Sequence, residues 1–206
     1  MENDPGAAIV ACTSAHERLL ETVVGLADEA VARASLLPGW RVGHVFTHVA
    51  RNADGHVRRL EGALRGEEAA RYPGGTEQRD RDIEQGATRS AVELATDVAD
   101  SARRLEETWQ RSADAGWPNS QLLADDRWPT TASPIRRLRE VEVHHADLGL
   151  DYQPTQWPDE YVDWELRTSL ERLPGRLAGP EDTRRFLAWL IGRSDWPAEL
   201  RLRPWS

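Results

Sequence analysis

Residues 134–150, PIRRLREVEVHHADLGL, form the segment from which the architecture of this chain can be worked out. Ser133 as a candidate N-cap, Pro134 in the first turn and Gly149 near the end predict a helix bounded on both sides. At about 100° per residue, one face of this helix carries an apolar stripe of Pro134, Leu138, Val141, His145 and Leu148. The segment is therefore predicted to be a helix that buries one face in a core.

A second feature of the same helix is the pair Glu140 and His144, which lie four residues apart. Side chains at this spacing stack on one side of a helix, about 5–6 Å apart at Cβ, close enough to bind one metal ion together. A salt-bridged or solvated pair has the same spacing. The metal interpretation therefore requires a third ligand from another part of the chain.

The chain before residue 134 contains three more long helical patterns, at residues 5–35, 41–67 and 76–115. The turn segments LLPGW and YPGG separate them, and a loop rich in Trp and Asp, with Leu122 and Leu123 as a short extended piece, precedes the fourth helix. The first half of the third pattern, TEQRDRDIEQGATR, has almost no apolar residues and is predicted to be mobile or a solvated helix. Four long helices predict a four-helix bundle, in which facing helices can present metal ligands inward.

The second helical pattern carries His44, His48, Asn52 and His56, each four residues after the last. The local periodicity places His48 on a polar flank, where it is expected to be exposed unless a cleft opens on that side. His44 and His48 also have the HxxxH spacing of a metal-binding pair, but this spacing is common by chance. His56 and His145 are weaker candidates for a role beside a metal ligand, and a packed histidine is the alternative for each.

After residue 150 the pattern changes to two shorter helices, at residues 159–177 and 181–194. In the tail PAELRLRPWS, Leu200 and Leu202 alternate with polar residues, as in a strand. The whole chain is therefore predicted to be mainly α, with a helical bundle at residues 1–152 and a short C-terminal α(+β) appendage at residues 153–206.

Composition excludes several classes of function. The 206 residues have a net charge of −9 and no basic block interleaved with aromatics, so nucleic acid is not an expected partner. All 26 cationic residues are arginine, which excludes a Schiff-base lysine. The single cysteine, Cys12, excludes an intrachain disulfide and is predicted to be a buried thiol. The start MENDPGAA lacks the features of a signal peptide, and no apolar run approaches the ~18 residues of a membrane span, so a cytoplasmic protein without membrane contact is expected.

Three segments together resemble the mycothiol-dependent maleylpyruvate isomerase family of the DinB-like metalloprotein superfamily. They are LPGWRVGHVFTHVARNADGHV (residues 37–57), REVEVHHADLGLDY (139–152) and FLAWLIGRS (186–194). The resemblance implies a DinB-like four-helix bundle that holds a divalent metal ion, usually zinc. By matching motifs, its ligands are His48 from the second helix and Glu140 and His144 from the fourth, which chooses His48 over His44.

The resemblance also implies a cofactor and a reaction. The cofactor is mycothiol, whose thiolate adds to the cis double bond of maleylpyruvate, permits rotation, and leaves again to give fumarylpyruvate. Arg193 matches a C-terminal family arginine that would contact the dicarboxylate substrate, but an arginine that neutralises a helix end has the same position. Asn52, Asp54 and Asp147 are candidates for orienting the metal ligands, and Asp147 could equally cap or brace the end of its helix.

The sequence leaves alternatives open. A mycothiol S-transferase acting on another electrophile would use the same site, and a helical protein could keep the scaffold and metal without catalysis. The region after residue 150 looks shorter than the usual family appendage, so the substrate could differ. The expected partners are a small-molecule substrate and a low-molecular-weight thiol, in a monomer or homodimer. A DNA-associated role is disfavoured by the acidic charge.

Overall fold

The computed structural model describes residues 4–118, 128–196 and 201–202. Within these residues the backbone forms eight α-helices and no strand, and isolated β-bridges join Ala34 to Arg41 and Leu177 to Leu202. The chain divides into two compact units, Met1–Pro158 and Asp159–Ser206. No helix in the described part of the chain is long and apolar enough to span a bilayer.

Six helices belong to the first unit and two to the second. They are α1 (Pro5–Val24), α2 (Asp28–Val31), α3 (Val42–Arg65), α4 (Gly75–Gly86), α5 (Ala91–Asp114) and α6 (Ser133–Asp147), followed by α7 (Asp159–Arg176) and α8 (Pro180–Leu190).

The four long helices of the first unit pack as a bundle, in which α1 and α3 each contact both α5 and α6. Their apolar faces meet in a core that includes Leu19, Phe46, Leu94, Leu105 and Leu138. Cys12 also lies in this core, where burial raises the pKa of its thiol. The predicted mainly α class and four-helix bundle are confirmed, and Cys12 is buried as expected.

The helix α6 begins differently from the prediction. Ser133 is the first helical residue, and Ala132, which cannot cap through its side chain, occupies the N-cap position after a 3-10 turn. The Ser133 hydroxyl points into the bundle, where it accepts a hydrogen bond from Trp109 Nε1 at 2.9 Å and lies 2.8 Å from His56 Nδ1. The N-cap prediction for Ser133 is therefore wrong. At the other end, Gly149 has the left-handed φ of +67° that lets the chain turn away, as predicted.

Two of the predicted helical patterns are interrupted. The first ends at Val24, because the chain turns at Gly25 before the short α2. The third divides into α4 and α5, and Ser90 begins α5 with a capping box in which its side chain and that of Glu93 bond to each other's backbone N–H groups. The polar first half is thus an ordered helix, α4, that packs against α3.

The second unit is built on α7 and α8. The helix α8 ends at Leu190, earlier than predicted, and Gly192 takes a left-handed φ of +68° just beyond it. The tail returns to the end of α7, where the Ala178 amide donates to the Arg201 carbonyl at 3.1 Å. Leu202 forms a single bridge there, whereas Leu200, like the predicted extended piece at Leu122 and Leu123, lies outside the described residues.

Candidate metal centre

Three side chains from two facing helices converge near one end of the bundle. His48 comes from α3, and Glu140 and His144 come from adjacent turns of α6. His48 Nε2 lies 3.1 Å from His144 Nε2 and 3.3 Å from Glu140 Oε2. The third edge of the triangle, from His144 Nε2 to Glu140 Oε2, measures 3.6 Å. The structure therefore brings together the three residues that the family resemblance implied as ligands.

His48 is buried, contrary to the expectation from helical periodicity. Only 6% of the residue is exposed, because neighbouring rings cover the flank of α3 that the local pattern marks as polar. The Trp40 ring meets it edge-on at 5.6 Å between centroids, and the His144 ring does so at 4.6 Å. The packing of α6 and the Trp40 loop against α3 thus buries His48 beside Glu140 and His144.

The electrostatics of the cluster couple its three members. Burial acts to raise the pKa of Glu140, but the hydrogen bonds from His144 and His48 lower it well below its usual range. Burial acts to lower the pKa of His144, but hydrogen bonds to Asp147 and Glu140 outweigh it and raise the pKa to about 9. Burial lowers the pKa of His48, and the hydrogen bond to Glu140 offsets this lowering only in part. His48 is therefore neutral at pH 7, and a metal ion entering the cluster would displace the proton of His144.

The three candidate orienting residues have different surroundings. Asp147 Oδ2 lies 2.9 Å from His144 Nδ1, one turn further along α6. Asn52 accepts a hydrogen bond from the buried Arg137 at 2.9 Å, and Asp54 pairs with Arg51 and Arg104. Of the three, Asp147 is the residue that contacts a member of the cluster through its side chain in the described structure.

Three of the other four histidines make contacts away from the cluster. His44 Nε2 lies 3.0 Å from Glu84, His56 Nδ1 contacts Ser133, and His145 Nε2 lies 2.8 Å from the Thr22 hydroxyl. His56 and His145 are both buried, as expected of packed histidines. In the part of the chain that the structure describes, the set His48, Glu140 and His144 is the one group of potential ligands close enough to share an ion.

Arg193 lies in the second unit, just after α8. Its side chain is exposed, and Nη1 lies 3.4 Å from the neighbouring Gly192 carbonyl. Its amide donates to the Ala188 carbonyl at 2.7 Å, which closes the end of the helix. The substrate-contact role implied by the family resemblance stays a prediction.

One residue that contacts the cluster was not predicted from the sequence. Arg79, on α4, places Nη2 at 3.2 Å from His48 Nδ1. It lies 31 residues from His48 in a stretch that has no apolar periodicity, so no pattern in the sequence indicates this contact. Only the packing of α4 against α3 reveals it.

The donor set fits a divalent metal ion of the zinc type. Four ligands arranged tetrahedrally at about 2.0–2.1 Å from zinc lie about 3.3 Å from one another. The three distances between donor atoms, 3.1, 3.3 and 3.6 Å, surround that value. Two imidazoles and a carboxylate are common zinc ligands, and three protein ligands leave a fourth position open, as in catalytic sites.

Comparisons with known proteins converge on one family. Residues 12–149, which include all three members of the cluster, match the family described as mycothiol maleylpyruvate isomerase N-terminal domain. Among curated proteins, no sequence matches this chain.

Solved structures give a consistent result. The chain is similar to a crystal structure of a mycothiol-dependent maleylpyruvate isomerase, with a TM-score of 0.72 and 25% identity over 78% of this chain and 67% of that one. A histidine-to-alanine mutant of a mycothiol-dependent maleylpyruvate isomerase gives a TM-score of 0.71 and 24% identity, with the same coverage of both chains.

Proposed function

The chain belongs to the mycothiol maleylpyruvate isomerase N-terminal domain family, and from this membership we propose that it is a metal-dependent enzyme that uses mycothiol to isomerise maleylpyruvate. Its family and its structural neighbours indicate a mycothiol-dependent maleylpyruvate isomerase-like protein. The metal ion, the reaction and the roles of the residues belong to the proposal.

The observation that carries the proposal is the convergence of His48, Glu140 and His144. Three donor atoms from two helices lie 3.1–3.6 Å apart. Two of the side chains, Glu140 and His144, are charged at neutral pH and are therefore costly to bury. A bundle core gains more stability from apolar residues at such positions. A shared ion gives a reason for the cluster that packing alone does not.

The residues would divide the work as follows. His48, Glu140 and His144 would hold a divalent metal ion, which supplies a positive charge that lowers the pKa of a thiol bound at the open position. Asp147 would keep the proton of His144 on Nδ1, so that Nε2 presents its lone pair. Trp40 covers the ring of His48 and keeps water from that side of the cluster.

The thiol must come from outside the chain. Cys12 is the only cysteine, and its side chain is fully buried in the bundle. Burial raises the pKa of this thiol, so it stays protonated and unreactive at neutral pH. The family membership supports mycothiol as the external thiol.

The proposed reaction conserves the thiol. Mycothiol would supply a thiolate that adds to one carbon of the cis double bond, with the π electrons taken up by the conjugated carbonyl. After rotation about the resulting single bond the thiolate would leave again, so that the double bond re-forms in the trans geometry and the thiol is recovered.

Three further predictions remain proposals. Arg193 would bind a carboxylate of the substrate, because a guanidinium matches the two oxygens of a carboxylate. Residues 1–152 would form the metal-binding bundle, and residues 153–206 a C-terminal region that resembles the family C-terminal domain. A cytoplasmic location also stays a prediction.

The proposal is tested by incubating the zinc-loaded protein with mycothiol and maleylpyruvate and following both compounds by NMR. We expect fumarylpyruvate to form with the thiol recovered unchanged, and we expect His48→Ala to lose this activity. His44→Ala is the matched control, since it removes a histidine one turn earlier on α3 that bonds to Glu84, and it is expected to remain active.

Two results would contradict the proposal. Mycothiol found covalently attached to the product would indicate an S-transferase. An inactive wild-type protein that nevertheless binds zinc would indicate another substrate or a non-catalytic role.

A further inference from the structure

Arg137 is a buried cation that joins α6 to two other helices of the bundle. Its Nε donates a hydrogen bond to His16 Nε2 on α1 at 3.1 Å. Its Nη1 donates to the Val49 carbonyl at 2.8 Å and to Asn52 Oδ1 at 2.9 Å, both on α3. A guanidinium is costly to bury, whereas an apolar side chain would fill the same space without that cost. The hydrogen bonds to α1 and α3 therefore distinguish Arg137 from an ordinary core residue.

The contact between Arg137 and His16 leads on to a carboxylate. A guanidinium has only N–H donors, so His16 Nε2 accepts the hydrogen bond, and burial lowers the pKa of this histidine so that its ring is neutral at pH 7. The ring proton therefore lies on Nδ1, which donates to Glu106 Oε1 on α5 at 2.7 Å. The chain of hydrogen bonds from Glu106 through His16 holds the guanidinium of Arg137 in one orientation.

The hydrogen bonds from Arg137 to α3 lie about one helical turn from the candidate metal ligands. On α6, Arg137 precedes Glu140 by three residues. On α3, Val49 directly follows His48, and Asn52 lies four residues after it. The bridge from Arg137 therefore joins the same two helices as the metal cluster, beside it along the bundle.

The register of these two helices decides whether the three donor atoms can share an ion. Glu140 and His144 are held relative to each other by their own helix, but His48 comes from α3. A shift of α3 along α6 would therefore move His48 away from both other ligands at once. Bonds from protein ligands to a metal ion tolerate deviations of only about 0.2 Å. Apolar packing is non-directional, whereas hydrogen bonds fix both a distance and a direction.

From this arrangement we propose that Arg137 is a positioning residue of the metal centre. Its hydrogen bonds to α3 fix the register of α3 on α6, and they thereby hold His48 against the two ligands of α6. The inference rests on the proposed function, since it requires an ion shared by the two helices. It also gives Asn52, a candidate for orienting the ligands, a role that acts through Arg137.

A purely electrostatic role of Arg137 predicts the opposite effect on metal binding. The residue is buried about one turn from Glu140, and its positive charge repels a cation at the cluster. Removal of the charge alone would therefore tighten zinc binding, whereas loss of the helix register would weaken it. The sign of the change in zinc affinity separates the two roles.

The experiment compares Arg137→Met with Leu105→Ala. Methionine keeps an unbranched side chain but has no hydrogen-bond donor for α1 or α3. Leu105 is fully buried on α5, a helix outside the metal cluster, so its truncation controls for a general loss of stability. Zinc affinity is measured by competition with a chromophoric chelator, and circular dichroism checks the fold. The visible absorption spectrum of each Co²⁺-loaded protein then reports the geometry of the ligands around the ion.

We expect Arg137→Met to bind zinc at least about tenfold more weakly than the wild type, with a changed Co²⁺ spectrum. Leu105→Ala should keep the wild-type spectrum and a zinc affinity within about threefold of the wild type. Asn52→Ala removes one of the two acceptors on α3 and keeps the buried charge. Its loss of zinc affinity should therefore be smaller than that of Arg137→Met, and its Co²⁺ spectrum should also change.

The positioning role alone is overturned if the wild type binds zinc and a folded Arg137→Met binds it as tightly or more tightly. Equal losses of zinc affinity in Arg137→Met and Leu105→Ala would also overturn it, because they would reflect a general loss of stability. If Arg137→Met does not fold, Asn52→Ala decides, and an unchanged zinc affinity and Co²⁺ spectrum in that variant overturn the positioning role. A wild type that binds no zinc overturns both this role and the proposed function.

Discussion

Nδ1 of His144 lies 2.9 Å from Oδ2 of Asp147, three residues further along α6. The carboxylate accepts a hydrogen bond from Nδ1–H, and Nε2 is the nitrogen that faces His48 and Glu140. A carboxylate on the outer nitrogen of a histidine is the usual support of a metal ligand, because it fixes the ring and makes the inner nitrogen more basic. The same helix thus supplies two candidate ligands and a candidate residue for orienting one of them.

Asp147→Asn is expected to weaken zinc binding about 10–100-fold, because the amide neither carries the charge nor fixes the tautomer of His144 as strongly. The dissociation constant is measured by competition with a chelator. Asp151→Asn, at an exposed position four residues further on, is the matched control and should bind zinc like the wild type. Equal affinities of the Asp147 and Asp151 variants would show that Asp147 only braces the end of the helix.

Ser133→Ala is expected to lower the free energy of unfolding by about 2–4 kcal/mol, because Trp109 and His56 each lose a buried hydrogen bond. The measurement is unfolding in urea. Ser112→Ala removes an equally buried hydroxyl that donates to the Thr108 carbonyl of its own helix, so it should cost about 1 kcal/mol or less. Similar losses in the two variants would contradict the bridging role of Ser133.

Gly43→Ala tests the close approach between α3 and the end of α4. A Cβ at this position would lie 2.4 Å from the Ala87 carbonyl oxygen, which is backbone and cannot turn aside. We expect a loss of about 1–3 kcal/mol in the free energy of unfolding. At Gly25 the nearest atoms to such a Cβ are 3.8 Å away, so Gly25→Ala should change stability by less than about 0.5 kcal/mol. A neutral Gly43→Ala variant would mean that the two segments separate at no cost.

His56 makes stability depend on pH. Burial lowers the pKa of its imidazole well below the ordinary value, and the charges of Arg71, Arg137 and Arg59 add to the effect. Below pH ~6.5 the unfolded chain takes up a proton at this residue while the folded protein does not, so stability falls as the pH falls. Unfolding in urea with a chelator present, at pH 7.5 and 5.5, should show a smaller decrease in His56→Gln than in the wild type. An equal decrease would place the acid sensitivity in other groups.

The four-helix bundle and the helix α6 could be predicted from the sequence. Other features could not, and each failure has a physical reason. The apolar stripe of α6 and the turn at Gly149 depend on local periodicity and backbone conformation, which a sequence displays directly. The burial of His48 depends on Trp40 and His144, which approach from other segments, so its own helix places it on a polar flank. The break between α4 and α5 was not predicted, because Ala87 at this break packs against Gly43, and a contact between distant parts of the chain leaves no local pattern.

The candidate metal centre could also be predicted only in part. Glu140 and His144 were identified as a pair from their spacing alone, whereas the choice of His48 as the third residue required the family resemblance. Arg79 could not be identified by either route, because its contact with His48 depends on how a polar helix packs.

The central claim, a metal ion shared by His48, Glu140 and His144, is tested most directly by zinc stoichiometry. Wild-type protein, His48→Ala and the control His44→Ala are dialysed against zinc, and bound metal is measured by elemental analysis with thermal unfolding as a check of the fold. The account predicts about one zinc ion per chain in the wild type and in His44→Ala, and none in a folded His48→Ala. A wild type that binds no zinc, or a His48→Ala variant that binds as much as the wild type, would contradict it.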